Sequence, residues 1–106
     1  MRRQDRDVMI PTVHTGGSDK ERLFEEVMAA YEAVRLAQEA MRHVTPNGRD
    51  YHVQGPDATI KALDQHQERQ RKLAEVFEDL AAIALGIRDQ IDEQNAAREL
   101  RMKRGY

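Results

Sequence analysis

The densest run of chemically capable side chains is Gly48-Arg49-Asp50-Tyr51-His52, which sets a cation, a carboxylate, a phenol and an imidazole in consecutive positions. Loops held by rigid elements are where binding and catalytic groups concentrate. Consecutive side chains of an extended segment point to opposite sides, however, so the run does not by itself build a nucleophile, base and orienting group. One reading makes Arg49, Asp50, Tyr51 and His52 a loop binding site. The other has Tyr51 and Val53 covering the end of a core, while Arg49 and Asp50 pair or cap a helix. A third reading, an enzyme centred on this loop, is disfavoured and would need a pocket enclosing Asp50, Tyr51 and His52; no catalytic residue is assigned.

The histidines are His14, His43, His52 and His66. No two are spaced i, i+4, and no His-Glu-x-x-His segment occurs, so the spacing that puts two imidazoles on one helix face for zinc is missing. His43, Asp50 and His52 flank one turn and are the only plausible metal trio. A histidine at a helix C-terminus, favourable to the dipole, and a solvated loop histidine account for them without a metal, and that reading is preferred. The chain has no Cys, which removes disulfides, thiolate metal centres and cysteine nucleophiles. There is no glycine-rich phosphate loop, no defensible pair of glycosidase carboxylates and no Ser-His-Asp order. Gly16-Gly17 before a helix start suits an anion at the helix N-terminus, but glycine commonly precedes helices. We therefore expect no enzyme, no cofactor and no metal.

These residues sit between two helical patterns. Ser18-Asp19-Lys20-Glu21 has the form of a capping box, in which Ser and Glu satisfy each other's backbone N–H groups. Leu23, Val27, Ala30, Val34, Ala37, Met41 and Val44 then follow at alternating spacings of 4 and 3, a heptad stripe. Phe24, Met28 and Tyr31 widen it. Pro46 and Asn47-Gly48 end the first helix. Gly55-Pro56-Asp57 opens a second, with Pro at its first position. Leu63, His66, Gln70, Leu73, Phe77, Leu80, Ala84, Ile87 and Ile91 form its seam, polar at first and apolar from Leu73 on. Tyr51, His52 and Val53 read as briefly extended.

The expected fold class is all-α: a two-helix antiparallel hairpin, coiled-coil-like, completed to a bundle by self-association. Its parts are an extended arm at 1–17, a hairpin at 18–95 (helix 18–44, loop 45–55, helix 56–95) and a basic tail at 96–106. The helices measure roughly 40 Å and 55–65 Å at 1.5 Å per residue. Residues 80–87 are apolar on all sides, the pattern of a buried helix. One neighbouring helix covers one side only. The arm, through Met9 and Ile10, is one further cover, and a second copy is another. We expect the chain to act by association, as a homo-oligomer such as a dimer or as a small subunit of a larger assembly with another protein, through an interface built from Phe24, Met28, Tyr31, Val76, Phe77, Leu80, Ile83 and Ile87.

Charge offers an alternative partner. The net charge is −2, yet the tail carries Arg98, Arg101, Lys103 and Arg104 against Glu99. Binding of nucleic acid or another anion through this tail is the second reading. The run 80–87 is far below the ~20 residues of a membrane span. Val8-Met9-Ile10, ended by Pro11, is too short for the core of a signal peptide. A soluble, cytoplasmic protein with no membrane partner is expected.

Overall fold

The computed structural model describes residues 7–14 and 19–105, and among them the chain is all α, with no strand. Helix α1 spans Lys20–Met41, α2 is one turn at Gly48–Tyr51, and α3 runs over Ala58–Arg104. Single 3-10 turns lie at Arg42–Val44 and His52–Gln54.

α1 is rich in Ala, Glu, Leu, Arg and Met, residues that lose little freedom in a helix. Its N-cap is Asp19, whose side chain makes no capping bond. The Ser18 half of the expected capping box lies outside the described residues. At the other end Thr45 leaves helical geometry at φ −58°, ψ 127°, as a residue before proline must. The connection is not the loop expected at 45–55. The Asn47 side chain accepts from Arg49 N at 2.8 Å and caps the turn α2. Tyr51 to Val53, expected to be extended, therefore ends that turn and enters a 3-10 turn. A local Asn cap outweighs the strand preference of Tyr and Val. Gly55 then takes φ 124°, a region open mainly to glycine, and redirects the chain into α3.

α3 differs from expectation at both ends. It starts at Ala58, after Pro56 and Asp57. It does not fray near residue 95 into a basic tail but stays helical through Arg104. Residues 96–104 are Ala, Ala, Arg, Glu, Leu, Arg, Met, Lys and Arg, all strong helix formers. Arg101, Lys103 and Arg104 lie in the last turn, where cations complement the helix dipole. The apolar pattern fails there because the neighbouring helix ends, not because α3 does.

The contacts between α1 and α3 step in opposite directions along the chain. Lys20 Nζ donates to Gln94 Oε1 at 2.9 Å. Arg88 lies 4.3 Å over the Phe24 ring. Tyr31 stacks on Phe77 with centroids 4.3 Å apart. Thr45 Oγ1 meets His66 Nε2 at 3.3 Å. The molecule is very extended, 79 × 25 × 17 Å, because the 47 residues of α3 make a rod of ~70 Å beside ~33 Å of α1.

Every expected seam residue of α3 from Leu63 to Ile91 is buried or half-buried. On α1 the stripe is shifted. Leu23, Val27, Val34 and Met41 are half-buried, but Ala30, Ala37 and Val44 are exposed, and Tyr31 and Gln38 occupy the seam instead. A straight helix drifts against a strict heptad, and the longer side chains one position on reach the seam.

The core proper comprises Val13, Ile87 and Ile91, with Leu23, Phe24, Val27 and Ile83 packed around it. Val13 belongs to the N-terminal arm, so the core lies where arm, α1 and α3 meet. No helix among the described residues is long and apolar enough to cross a membrane.

Candidate functional site

The run at 49–52 does not assemble a site. Arg49, Asp50 and His52 are exposed and Tyr51 is half-buried. Successive residues of a helical turn point about 100° apart, so the one-turn helix fans these side chains outward. The His52 ring turns back on its own backbone, with Nδ1 3.2 Å from Arg49 O. Among the described residues no three His, Asp or Glu side chains stand close enough to hold a metal ion. His43, Asp50 and His52 are thus not brought together.

His66 is the buried histidine of the seam, 4% exposed. Thr45 Oγ1 donates to Arg42 O at 2.9 Å. A hydroxyl committed to that bond can only accept from His66, which assigns the ring proton to Nε2. The pair pins the end of α1 to α3 and leaves no free imidazole nitrogen at that contact.

Charged groups on the outer faces pair locally. Arg35 sits between Glu32 and Glu39, and Arg71 between Glu68 and Glu75. The hydrogen bond from Arg35 holds the Glu32 carboxyl below its ordinary value. That from Arg71 does the same for Glu68. Both clusters are solvated, and such pairs contribute little to stability.

The surface expected between copies is divided by the fold. Ile87 is 0% exposed and Ile83 packs against the core, so Ile87 is no interface residue. Of the two expected covers the N-terminal arm lies there, through Ile10 and Val13, whereas Met9, expected to share that role, is 78% exposed. Phe77 and Leu80 are half-buried in the seam, and Phe77 is stacked on Tyr31. Val76 is 46% exposed, but it lies on the arm's flank of α3. Leu85, nine residues on, points about 180° away.

What remains open is the flank opposite the arm. Phe24, Met28 and Tyr31 of α1 and Ala81, Ala84, Leu85 and Arg88 of α3 line a groove there. Met28 is 37% and Leu85 63% exposed. Leu85 was missed in the sequence because it stands off the 3, 4 seam. The signal for it was the apolar run 80–87 itself, which leaves grease on the side away from α1.

The covered flank has its own geometry. Val13 N–H donates to Gln90 Oε1 at 2.8 Å. Gln90 Nε2 donates to Pro11 O at 2.8 Å, and Gln94 Nε2 donates to Val13 O at 2.9 Å. Ile10 lies against Gly86, where an added Cβ would stand 2.5 Å from Ile10 Cγ2. The sequence contained these residues without any rule joining them.

Compared with family models, with curated proteins and with solved structures, the chain matches none. Function is therefore read from these two flanks.

Proposed function

We propose that the chain is a cytoplasmic, non-enzymatic helical-hairpin protein that acts by association. In this reading two copies meet across the groove of Phe24, Met28, Tyr31 and Leu85 and complete a four-helix bundle. The observation that carries it is the asymmetry of the two flanks at one level of the molecule. The arm covers one, while the other leaves Leu85 63% exposed beside half-buried aromatic rings. Burying a large apolar side chain stabilises by about 1.5–3 kcal/mol. The groove lies beside the ~33 Å length of α1, a length along which a second helix pair can pack. A two-fold dimer uses the same patch twice and leaves none exposed.

Sedimentation of the full chain at micromolar concentrations tests this. The wild type should run as a dimer, and Leu85→Glu as a monomer with undiminished helicity, since Leu85 lies outside the core. A wild type that stays monomeric at tens of micromolar would sink the reading.

A second reading, binding of nucleic acid or another anion, is favoured by one observation. Arg98, Arg101, Lys103 and Arg104 are exposed on helix that extends past the start of α1. Salt-dependent retention on a DNA column, abolished by neutralising these four, separates it from the first.

A further inference from the structure

Residues 10–13 lie on α3 as a peptide lies on its receptor. Three hydrogen bonds from the side-chain amides of Gln90 and Gln94 reach Pro11 O, Val13 N and Val13 O, so all three read main chain. Two apolar side chains supply the rest. Val13 enters the core at 7% exposure, and Ile10 fills the space that Gly86 leaves by having no Cβ. From Gly86 to Gln94 is about 12 Å of helix, slightly more than the roughly 10–11 Å that the three steps from Ile10 to Val13 span at full extension, and the Gln90 and Gln94 side chains supply the remaining reach. Main-chain bonds supply affinity in such recognition, and pockets for side chains supply specificity. The hydrogen-bonded partners are 77 to 81 positions apart in the sequence, and none of these contacts depends on arm and seat belonging to one chain.

We propose that the seat made by Gly86, Gln90 and Gln94 is a docking site for the arm of a second copy, so that copies link by exchanging residues 10–13. The occupant follows from the seat. It is an extended segment with a branched residue over the glycine, a carbonyl for Gln90 one residue on, and a second apolar side chain two further, which is Ile10-Pro11-Thr12-Val13. The chain's own arm competes at an effective concentration in the millimolar range. Exchange therefore rises with concentration and when the resident arm is loosened. It uses the flank opposite the Leu85 groove, so either contact can be lost without the other.

The absence of Cys allows disulfide trapping in the full chain. One variant carries Ile10→Cys and another Gly86→Cys. In the second, the new Cβ collides with that chain's own Ile10 and loosens its arm. An Ile10→Cys arm from the first is smaller and relieves the collision. Ile10 Cβ is one bond from the Cγ2 that lies 2.5 Å from the built Gly86 Cβ, so the two new Cβ atoms fall within about 4 Å, a disulfide spacing. On oxidation of the mixture the expected product is a covalent heterodimer, well above that from Ile10→Cys mixed with the exposed Gln67→Cys. Adding Gln90→Ala and Gln94→Ala to the Gly86→Cys chain should cut the yield about tenfold or more, through three lost hydrogen bonds. Adding Leu85→Glu to both chains should leave it unchanged. A yield no higher than the Gln67→Cys control, or one that disappears with Leu85→Glu, overturns the proposal. Isotope-filtered NMR on mixed labelled and unlabelled wild type reads the same contact without substitution. Cross-peaks between Ile10 methyls and Gly86 of different chains are expected, and their absence at millimolar concentration overturns it equally.

Discussion

Gly86→Ala illustrates how the arm changes an ordinary helix rule. In an exposed helix interior, replacing Gly by Ala stabilises by about 0.8–1.0 kcal/mol. Gly86 lies mid-helix in α3, yet its Cβ would fall 2.5 Å from Ile10 Cγ2 and 3.3 Å from Cγ1 and Cδ1. Cγ2 is fixed next to the backbone of a branched residue and cannot swing aside, so the arm must lift. Lifting exposes Ile10 and strains the three main-chain bonds to Gln90 and Gln94, each worth about 0.5–1.5 kcal/mol. It also begins to uncover Val13, whose burial is worth about 1.5–3 kcal/mol. The chain regains some freedom as the arm loosens, at about 1–2 kcal/mol per residue released. With the helix gain subtracted, the expected outcome is a net loss of about 1–2 kcal/mol. Urea unfolding followed by far-UV circular dichroism measures it. The decisive comparison is the same substitution in an Ile10→Ala background. That background removes all three colliding atoms, so Gly86→Ala should then stabilise by about 0.5–1 kcal/mol, reversing its sign. If Gly86→Ala stabilises in both backgrounds, Ile10 does not rest on Gly86 and the account of the arm is wrong.

Acidification should loosen the helices. Arg35 and Arg71 hold Glu32 and Glu68 below the ordinary 4.5, so their contribution is present above that pH and lost as pH falls through the lowered values. Far-UV helicity measured below pH 4.5 in wild type and in Arg35→Gln, Arg71→Gln should show a larger fall in the wild type. Thr45→Val should destabilise by about 1–3 kcal/mol, because it leaves a buried His66 N–H without its acceptor, while Thr45→Ser should be nearly neutral; urea midpoints check both. Leu100→Pro should remove helical signal from the end of α3 without moving the urea midpoint, since proline breaks the helix where nothing of α1 packs.

The α3 seam was legible because it is a property of one helix against one neighbour. Leu63 through Ile91 keep the 3, 4 spacing, and each is shielded. The α1 stripe was legible in direction but not in membership. Ala30 and Ala37 fit the spacing, but Tyr31 and Gln38 have the reach to fill the seam. The end of α3 was misplaced because apolar periodicity reports a neighbour rather than a helix. The propensities of 96–104 were the better guide. The turn at Gly48–Tyr51 was hidden by reading Tyr and Val as strand formers and Asn47 only as a breaker, when Asn also caps. The expected interface joined Val76, on the arm's flank of α3, to Phe24, Met28 and Tyr31 of the open groove, and it left out Leu85, the exposed residue of that groove. The arm's destination could not be read at all. Ile10 and Val13 carry no local pattern, and Gln90 and Gln94 look like ordinary polar surface until a backbone is laid across them.

That last failure explains where the fold is strong and where it is open. Two packed helices shield a seam from two sides and leave it half-exposed on the others. Among the described residues, Ile87 and Ile91 are the side chains that reach 0% exposure within the apolar core, and both lie where the arm adds a third layer. Along the rest of the contact Leu63, Leu73, Phe77 and Leu80 stay half-buried, with the same kind of side chain and no such cover. Within the arm's own stretch, it shields one flank and leaves Phe24, Met28 and Leu85 on the other. A second helix pair laid on that flank would add the missing layer over Phe24 and Leu85 and, continuing along the molecule, over Tyr31 and Phe77. The stretch of α3 from Phe77 to Leu85 is therefore where a partner gains most. Substitution of Leu85 there should weaken the proposed association before it weakens the fold, whereas substitutions at Ile87 or Ile91 should do the reverse.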